Sequence, residues 1–87
     1  MKIQVQLFGG FRQFSSASQL EFEVESALTP KELKVRIQQV LGSAENMDQL
    51  SALLSASVLA SEDSILQSEE KIASSCRLAI LPPVCGG

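Results

Sequence analysis

Residues 28–42 decide the fold, and they read LTPKELKVRIQQVLG. The stretch opens with a helix start signal: Thr29 offers a capping hydroxyl, Pro30 takes the first helical position and Glu32 completes a capping box. The apolar residues that follow recur at the spacing of one helical face, and they are Leu33, Ile37, Val40 and Leu41. Gly42 stands where helices often end in a left-handed residue. The stretch therefore predicts an amphipathic helix over residues 30–41.

Two strands are predicted before this helix. Apolar and polar residues alternate over residues 2–8 and again over residues 20–25, which is the period of a strand with one buried face. Gly9 and Gly10 interrupt the alternation, and a serine-rich stretch follows them. We expect the two strands to pair as a hairpin.

The chain after the helix carries a weaker pattern. Residues 50–54 suit either a short helix or the approach to a strand, and we favour a strand over residues 54–59. A short apolar piece at residues 65–66 lies between two polar turns and suggests a short strand. Residues 77–81 form a compact apolar run, typical of a strand buried on both faces, and a Pro-Pro pair ends it.

This order of elements predicts an α+β domain of the β-grasp, or ubiquitin-like, type. Two hairpin strands, a crossing helix and a final strand that returns from far along the chain make a mixed sheet of four to five strands, with one main helix across it. We expect a β-grasp domain over residues 1–81 and an extended C-terminal tail over residues 82–87. The sequence shows no linker or second domain.

Composition and charge narrow the function. Hydrophobic residues make up 45% of the 87 residues and the net charge is -3, so nucleic acid and anionic membranes are not expected partners. The chain has no apolar run of roughly 20 residues and no signal-peptide pattern, so we expect a cytoplasmic protein. It has no histidine, which argues against Cys/His metal sites and His-based triads, and no metal site is expected. Cys76 and Cys85 are expected to be reduced thiols.

The last six residues, Pro82 to Gly87, carry the functional signal. Two consecutive prolines fix their φ angles and cannot donate ladder hydrogen bonds, so the last strand must stop. Six extended residues reach roughly 20 Å at about 3.3 Å per residue. Gly86 and Gly87 have no side chains and can pass through a narrow channel. We expect the tail to enter the active site of another protein.

The carboxylate of Gly87 is the functional group at the tip of this tail. A carboxylate is a poor electrophile, but an ATP-dependent partner would convert it to an acyl adenylate that a sulfur donor can attack. The product is a Gly87 thiocarboxylate, whose sulfur is more nucleophilic than oxygen. A bare Gly-Gly ending arises by chance in roughly one sequence in 200, so the preceding Pro-Pro pair is what makes the signal specific.

The ending Leu81–Gly87, LPPVCGG, resembles the Pro-Pro-Val-x-Gly-Gly ending of molybdopterin synthase small subunits, the MoaD-like branch of the MoaD/ThiS family of ubiquitin-like sulfur carriers. The opening residues 2–11 and the helix that begins at Thr29 resemble the same family. The resemblance implies that a ubiquitin-activating-type enzyme adenylates Gly87 and that a sulfur donor protein supplies the sulfur of the thiocarboxylate. ATP is used by that partner, and this chain binds no cofactor itself.

The resemblance also implies a synthase partner and a substrate. The tail would insert into the large subunit of molybdopterin synthase, in an assembly of two small and two large chains, and donate sulfur to a cyclic pyranopterin phosphate precursor. The large subunit would supply the general acid, the base and the substrate contacts, so this chain is not expected to be an enzyme alone. Cys85 departs from the family, which usually has Ser, Thr or Ala there.

The residues expected to contact partners lie on the tail and beside it. An apolar residue on a projecting tail gains little by facing water, so a partner groove would bury it. Phe8 and Phe11 flank the Gly9-Gly10 turn and belong either to the core or to a partner-binding patch beside the tail. The partner-binding candidates are Phe8, Leu81, Pro82, Pro83, Val84, Cys85 and Gly86, and the reacting residue is Gly87.

Three alternatives stay open at this point. The chain could carry sulfur for thiamin synthesis or tRNA thiolation, could be a ubiquitin-like modifier whose Gly87 is joined to lysines of target proteins, or could be a β-grasp interaction module with an inert tail. The acceptor of an activated Gly87 distinguishes a sulfur carrier from a ubiquitin-like modifier. Deletion of Gly86 and Gly87 identifies the interaction module, because its cellular role would stay intact.

Overall fold

The computed structural model describes residues 1–15, 17–43, 45–67 and 69–82. Its strands are β1 (Lys2–Leu7), β2 (Gln19–Glu23), β3 (Val58–Ala60) and β4 (Cys76–Leu81). Its helices are α1 (Pro30–Leu41) and α2 (Met47–Ser55), and a short 3-10 helix spans Gly9–Phe14. Within these described ranges, no helix combines the length and the apolar character that crossing a bilayer requires.

The four strands form one mixed sheet in the order β2-β1-β4-β3. β1 pairs antiparallel with β2, as the predicted hairpin requires, and β3 pairs antiparallel with β4. β1 and β4 pair in parallel, which joins the first and last strands at the centre of the sheet. This topology confirms the predicted β-grasp fold.

One hydrophobic core joins the sheet to the helices. α1 contributes Leu33, Ile37 and Leu41, three of the four residues in its predicted apolar stripe. Val40, the fourth, is 58% exposed, so its assignment to the buried face is wrong. Successive helical residues are about 100° apart, so Val40 lies about 60° from Ile37 and about 100° from Leu41, at the outer edge of the stripe.

Side chains cap both ends of α1. The N–H of Glu32 donates to Oγ1 of Thr29 over 3.2 Å, and the N–H of Thr29 donates to the Glu32 carboxylate over 2.9 Å, which is the predicted capping box. The bond from the Thr29 backbone lowers the pKa of Glu32. At the other end, the Asn46 amide donates to the carbonyl of Leu41. Gly42 is extended at φ -75°, so the predicted left-handed end is wrong: Asn46 helps to satisfy the helix end instead.

The segment between residues 43 and 76 differs most from the sequence prediction. α2 extends to Ser55 and so covers the first residues of the favoured strand, because Leu50 and Leu54 lie one helical turn apart and both are buried. β3 is correspondingly limited to three residues. Ile65 makes an isolated bridge to Ala60 rather than belonging to a strand, which leaves four strands in the sheet.

β4 is also less buried than the sequence predicts. Leu78 and Ile80 are buried, but Arg77 is exposed and Ala79 and Leu81 are half-buried, so the prediction of burial on both faces is wrong. Successive side chains of a strand point to opposite faces, and only the Leu78 face of β4 contributes to the core. The second face of β4 is therefore partly exposed to solvent.

Lys34 connects α1 to the chain segment that leads into β3. Its ammonium group donates to the carbonyl of Ser57 over 2.6 Å, and partial burial lowers the pKa of Lys34. Ser57 immediately precedes Val58, the first residue of β3. This bond therefore helps to place β3 against α1.

The capping box can be tested by removing its hydroxyl. We expect Thr29→Ala to lower the free energy of unfolding by about 1 kcal/mol, because the Glu32 N–H loses its side-chain acceptor. Ser26→Ala, at an exposed position just before the helix, is the matched control and should change stability by less than about 0.5 kcal/mol. Urea denaturation of both variants measures the difference, and equal stabilities would show that the cap contributes nothing.

Candidate functional site

The structure places the start of the C-terminal tail at the centre of one sheet edge. β1 and β4 are parallel, so both end at the same edge, where Leu7 lies opposite Ile80. Phe8 follows on one strand and Leu81 on the other. Pro82, the last described residue, is half-buried at this edge. The tail thus leaves from a strand that has a neighbour on each side.

An apolar patch lies on the outer face of the sheet beside this point. We call it the exit patch, and it consists of Phe8, Val58 and Leu81. Val58 pairs with Leu81, while the next pair, Leu59 and Ile80, is buried; the alternation therefore turns Val58 and Leu81 away from the core.

Phe8 belongs to the same face by the same alternation. It follows the buried Leu7, its backbone is extended (φ -127°, ψ 157°), and the residue is 40% exposed, close to the 38% of Val58. Phe11, on the far side of the Gly9-Gly10 turn, is fully buried. The two aromatic residues therefore divide between the two alternatives that the sequence left open: Phe11 is core and Phe8 is surface.

Polar and small residues border the exit patch along β3 and β4. Ala60 pairs with Ala79 in the row next to Val58 and Leu81. A shallow depression beyond them is lined in part by Glu62 and Arg77, which carry opposite charges. An apolar centre with a charged rim is the usual composition of a protein-binding surface, in which the rim fixes orientation more than affinity.

Cys76 lies at the opposite end of β4 from the tail. It carries a free thiol that packs against the core, and partial burial raises the thiol pKa, so the protonated form is favoured at neutral pH. A thiol rather than a thiolate is a poor nucleophile. Cys76 therefore has the character of a structural residue.

The described residues beside the tail present an exposed apolar surface rather than a cluster of reacting groups. Over the ranges that the structure covers, no three His, Cys, Asp or Glu side chains are grouped as they would be around a metal ion. The shifted pKa values belong to Glu32, Lys34 and Cys76, each with a local structural cause given above, and the exit patch contains none of these residues.

The structure brings three of the predicted site residues to one place, namely Phe8, Leu81 and Pro82. The others, Pro83, Val84, Cys85, Gly86 and Gly87, lie outside the described residues. The sequence reasoning missed Val58, which joins the patch only through its pairing with Leu81. The sequence signal for Val58 is that Val58 and Ala60 alternate with the buried Leu59. This signal is weak because β3 has only three residues.

Comparisons with known proteins agree with this fold. The model of the ThiS family matches residues 5–87. No curated protein sequence matches the chain. Among solved structures, 102 chains match. SAMP1 from Haloferax volcanii superposes with a TM-score of 0.75 at 16% identity, over 100% of both chains.

A second solved structure gives a similar superposition. It is the Pyrococcus furiosus protein designated molybdopterin converting factor, subunit 1, with a TM-score of 0.67, 20% identity, and coverage of 95% of this chain and 98% of that one. At these identities, the two structures establish the fold. The family model, which covers all but the first four residues, establishes more: the chain belongs to the ThiS family of ubiquitin-like sulfur carriers.

Proposed function

We propose that this chain carries sulfur as a thiocarboxylate on Gly87 and donates it in molybdopterin synthesis, as the small subunit of molybdopterin synthase. The observation that carries the proposal is the family match, which runs from β1 through the tail to Gly87. The structure supports it because the tail begins at a central strand, beside an exposed apolar patch. On this proposal residues 1–81 are the docking domain and residues 82–87 are the reacting tail.

The charging step needs a partner with ATP. A carboxylate oxygen of Gly87 attacks the α-phosphate of ATP and releases pyrophosphate, and the resulting acyl adenylate has a good leaving group on its carbonyl carbon. A persulfide on the donor protein attacks that carbon through its terminal sulfur and AMP departs, which leaves an acyl disulfide. A thiolate then attacks the donor cysteine's sulfur in that S–S bond, which releases the Gly87 thiocarboxylate and joins the thiolate and the donor cysteine in a disulfide. The net change is the replacement of one carboxylate oxygen by sulfur, and this chain contributes the acyl group and no bound cofactor.

The delivery step needs a second partner, the large synthase subunit. The thiocarboxylate sulfur attacks a carbon of the cyclic pyranopterin phosphate precursor and displaces an oxygen substituent from it. Water then hydrolyses the resulting thioester, which leaves the sulfur on the precursor and releases Gly87 as a carboxylate that can be charged again. A dithiolene has two sulfurs, so two charged chains are consumed for each product. Two observations favour this pathway: the Pro-Pro-Val sequence at residues 82–84, and the structural likeness to a protein named as a molybdopterin converting factor subunit. An assembly of two small and two large chains, in the cytoplasm where ATP and reduced thiols are present, belongs to the same proposal.

The exit patch is the docking surface for both partners. The tail can occupy one active site at a time, so the activating enzyme and the large subunit must bind this chain in turn. A partner that receives the tail necessarily lies over the sheet edge where Pro82 leaves it, next to Phe8, Val58 and Leu81. Burial of exposed apolar side chains there supplies binding free energy.

Reconstitution tests the charging step. The purified chain is incubated with ATP, a sulfur source and a ubiquitin-activating-type enzyme of this family, and its intact mass is measured. We expect a species heavier by the exchange of one oxygen for sulfur. A chain extended by one alanine after Gly87 is the control, since it keeps every residue and moves the terminal carboxylate, and it should stay uncharged. If the mass of the normal chain is the same before and after incubation, the chain is better explained as a β-grasp interaction module with an inert tail.

The molecule that receives sulfur or the Gly87 acyl group from the activated chain distinguishes a sulfur carrier from a ubiquitin-like modifier. With the large synthase subunit and the pyranopterin precursor, the charged chain should lose its sulfur and yield a dithiolene product. A Gly-Gly remnant joined to lysines of other proteins, without sulfur transfer, would instead identify a ubiquitin-like modifier. Sulfur transfer to a thiamin precursor or to tRNA, with none to the pyranopterin, would assign the carrier to another pathway.

The docking surface can be tested with two matched valine variants. We expect Val58→Ser, in the exit patch, to raise the KM of the activating enzyme for this chain by about tenfold, as loss of a buried apolar contact worth roughly 1.4 kcal/mol would do. Val40→Ser, at a valine that is 58% exposed on α1, should leave KM unchanged. Steady-state kinetics with both variants measure this, and equal KM values for the two would remove the exit patch from the interface.

A further inference from the structure

The turn that follows β1 touches the residue at which the tail begins. Gly9 lies in the left-handed region at φ +57°. Among the described residues, it is the glycine whose φ is positive. Its α-carbon faces the ring of Pro82. A β-carbon placed on Gly9 would lie 2.6 Å from Cγ, 3.6 Å from Cδ and 3.7 Å from Cβ of Pro82.

Both features require glycine at this position. Residues with a β-carbon rarely adopt a φ near +57°. A separation of 2.6 Å is also far below the roughly 3.5–4.0 Å at which two carbon atoms attract, so the proline ring would have to move. Gly10 is different, because a β-carbon there would lie 3.5 Å from the nearest atom, in Leu53, which is ordinary contact. The Gly9-Gly10 pair therefore has one constrained member and one that tolerates a side chain.

Gly9 is held in place from both sides. On one side, Leu7 is paired with Ile80 in the parallel ladder. On the other, Phe11 is fully buried, and its N–H donates to the carbonyl of Phe8 over 3.2 Å. Gly9 thus presents a fixed surface to the proline ring. Pro82 itself has a φ locked by its ring, so a contact that holds the ring also holds the backbone of Pro82.

We propose that Gly9 is a positioning residue for the reacting C-terminus. Its bare α-carbon lets the Pro82 ring rest against the turn, and this contact fixes the position of Pro82, where the tail begins. The inference rests on the proposed function: a chain docked through the exit patch then delivers Gly87 to a partner's active site in a reproducible geometry. Gly9 acts through Pro82 and touches neither the substrate nor the reacting atoms.

Kinetics distinguish positioning from docking. Gly9→Ala keeps the exit patch, so the KM of the activating enzyme should change little, while kcat should fall on the order of tenfold to a hundredfold, as expected for a misplaced reacting group. Gly10→Ala is the matched control and should leave both constants unchanged. A rise in KM alone would instead make Gly9 part of the docking surface, and equal losses in the two variants would reduce its role to the stability of the turn.

A second readout needs no partner and separates this inference from the proposed function. A nitroxide label is attached to Cys85 in a Cys76→Ser background, and the amide resonances that it broadens are mapped by NMR. Gly9→Ala should change the set of broadened amides, and Gly10→Ala should leave it as it is. If the unmutated chain is never charged, the proposed function fails and this comparison alone decides the role of Gly9. An unchanged set in Gly9→Ala would overturn the inference.

Two further variants separate the contact with Pro82 from backbone strain. Pro82→Ala removes Cγ and Cδ, so Gly9→Ala should have little additional effect on kcat in that background, although its effect on melting temperature should persist. Gly9→Asn tolerates a positive φ, and it should retain most of the stability while still lowering kcat, because its β-carbon meets the proline ring. Equal effects of Gly9→Ala on kcat with and without the Pro82→Ala change would contradict the proposed contact.

Discussion

The parallel pairing of β1 with β4 is the constraint on which the rest of the structure depends. It joins residues near the two ends of the sequence, with Ile3 opposite Cys76 and Leu7 opposite Ile80. Closing so long a loop costs conformational entropy, and burial of apolar side chains from both strands offsets that cost. Because the strands are parallel, the end of β1 and the end of β4 meet at one edge. The first turn of the chain and the beginning of its tail are therefore neighbours.

This arrangement explains how a small domain can serve chemistry that other proteins perform. The helices cover one face of the sheet, and the other face of β4 remains half-exposed beside the tail. Phe8, Val58 and Leu81 come from three different strands or their ends, yet lie together because the strands are neighbours in the order β1-β4-β3. A partner that binds this surface is necessarily positioned over the starting point of the tail. On the proposed function, docking and delivery are thus properties of one edge of one sheet.

Local signals made part of this structure predictable and long-range pairing made the rest unpredictable. The start of α1 follows from residues within a few positions of each other, and the strands before it follow from simple alternation. α2 was ambiguous because Leu50, Leu53 and Leu54 suit both a helix and a strand approach. The end of α1 depends on Asn46, whose side chain reaches back to the helix, and the patch residue Val58 depends on its pairing with Leu81. The Asn46 contact is local in sequence, but the sequence does not show which backbone carbonyl the amide reaches; the pairing of Val58 with Leu81 lies outside any local window.

The central claim is that Gly87 carries sulfur as an acyl group. Its most direct test is tandem mass spectrometry of the C-terminal peptide of this protein, isolated from its own cells under conditions that preserve thiocarboxylates. The account predicts a population in which one oxygen of the Gly87 carboxyl group is replaced by sulfur, with Cys85 unmodified. Sulfur located on Cys85 instead, or Gly87 found solely as a carboxylate or in an isopeptide bond, would contradict it.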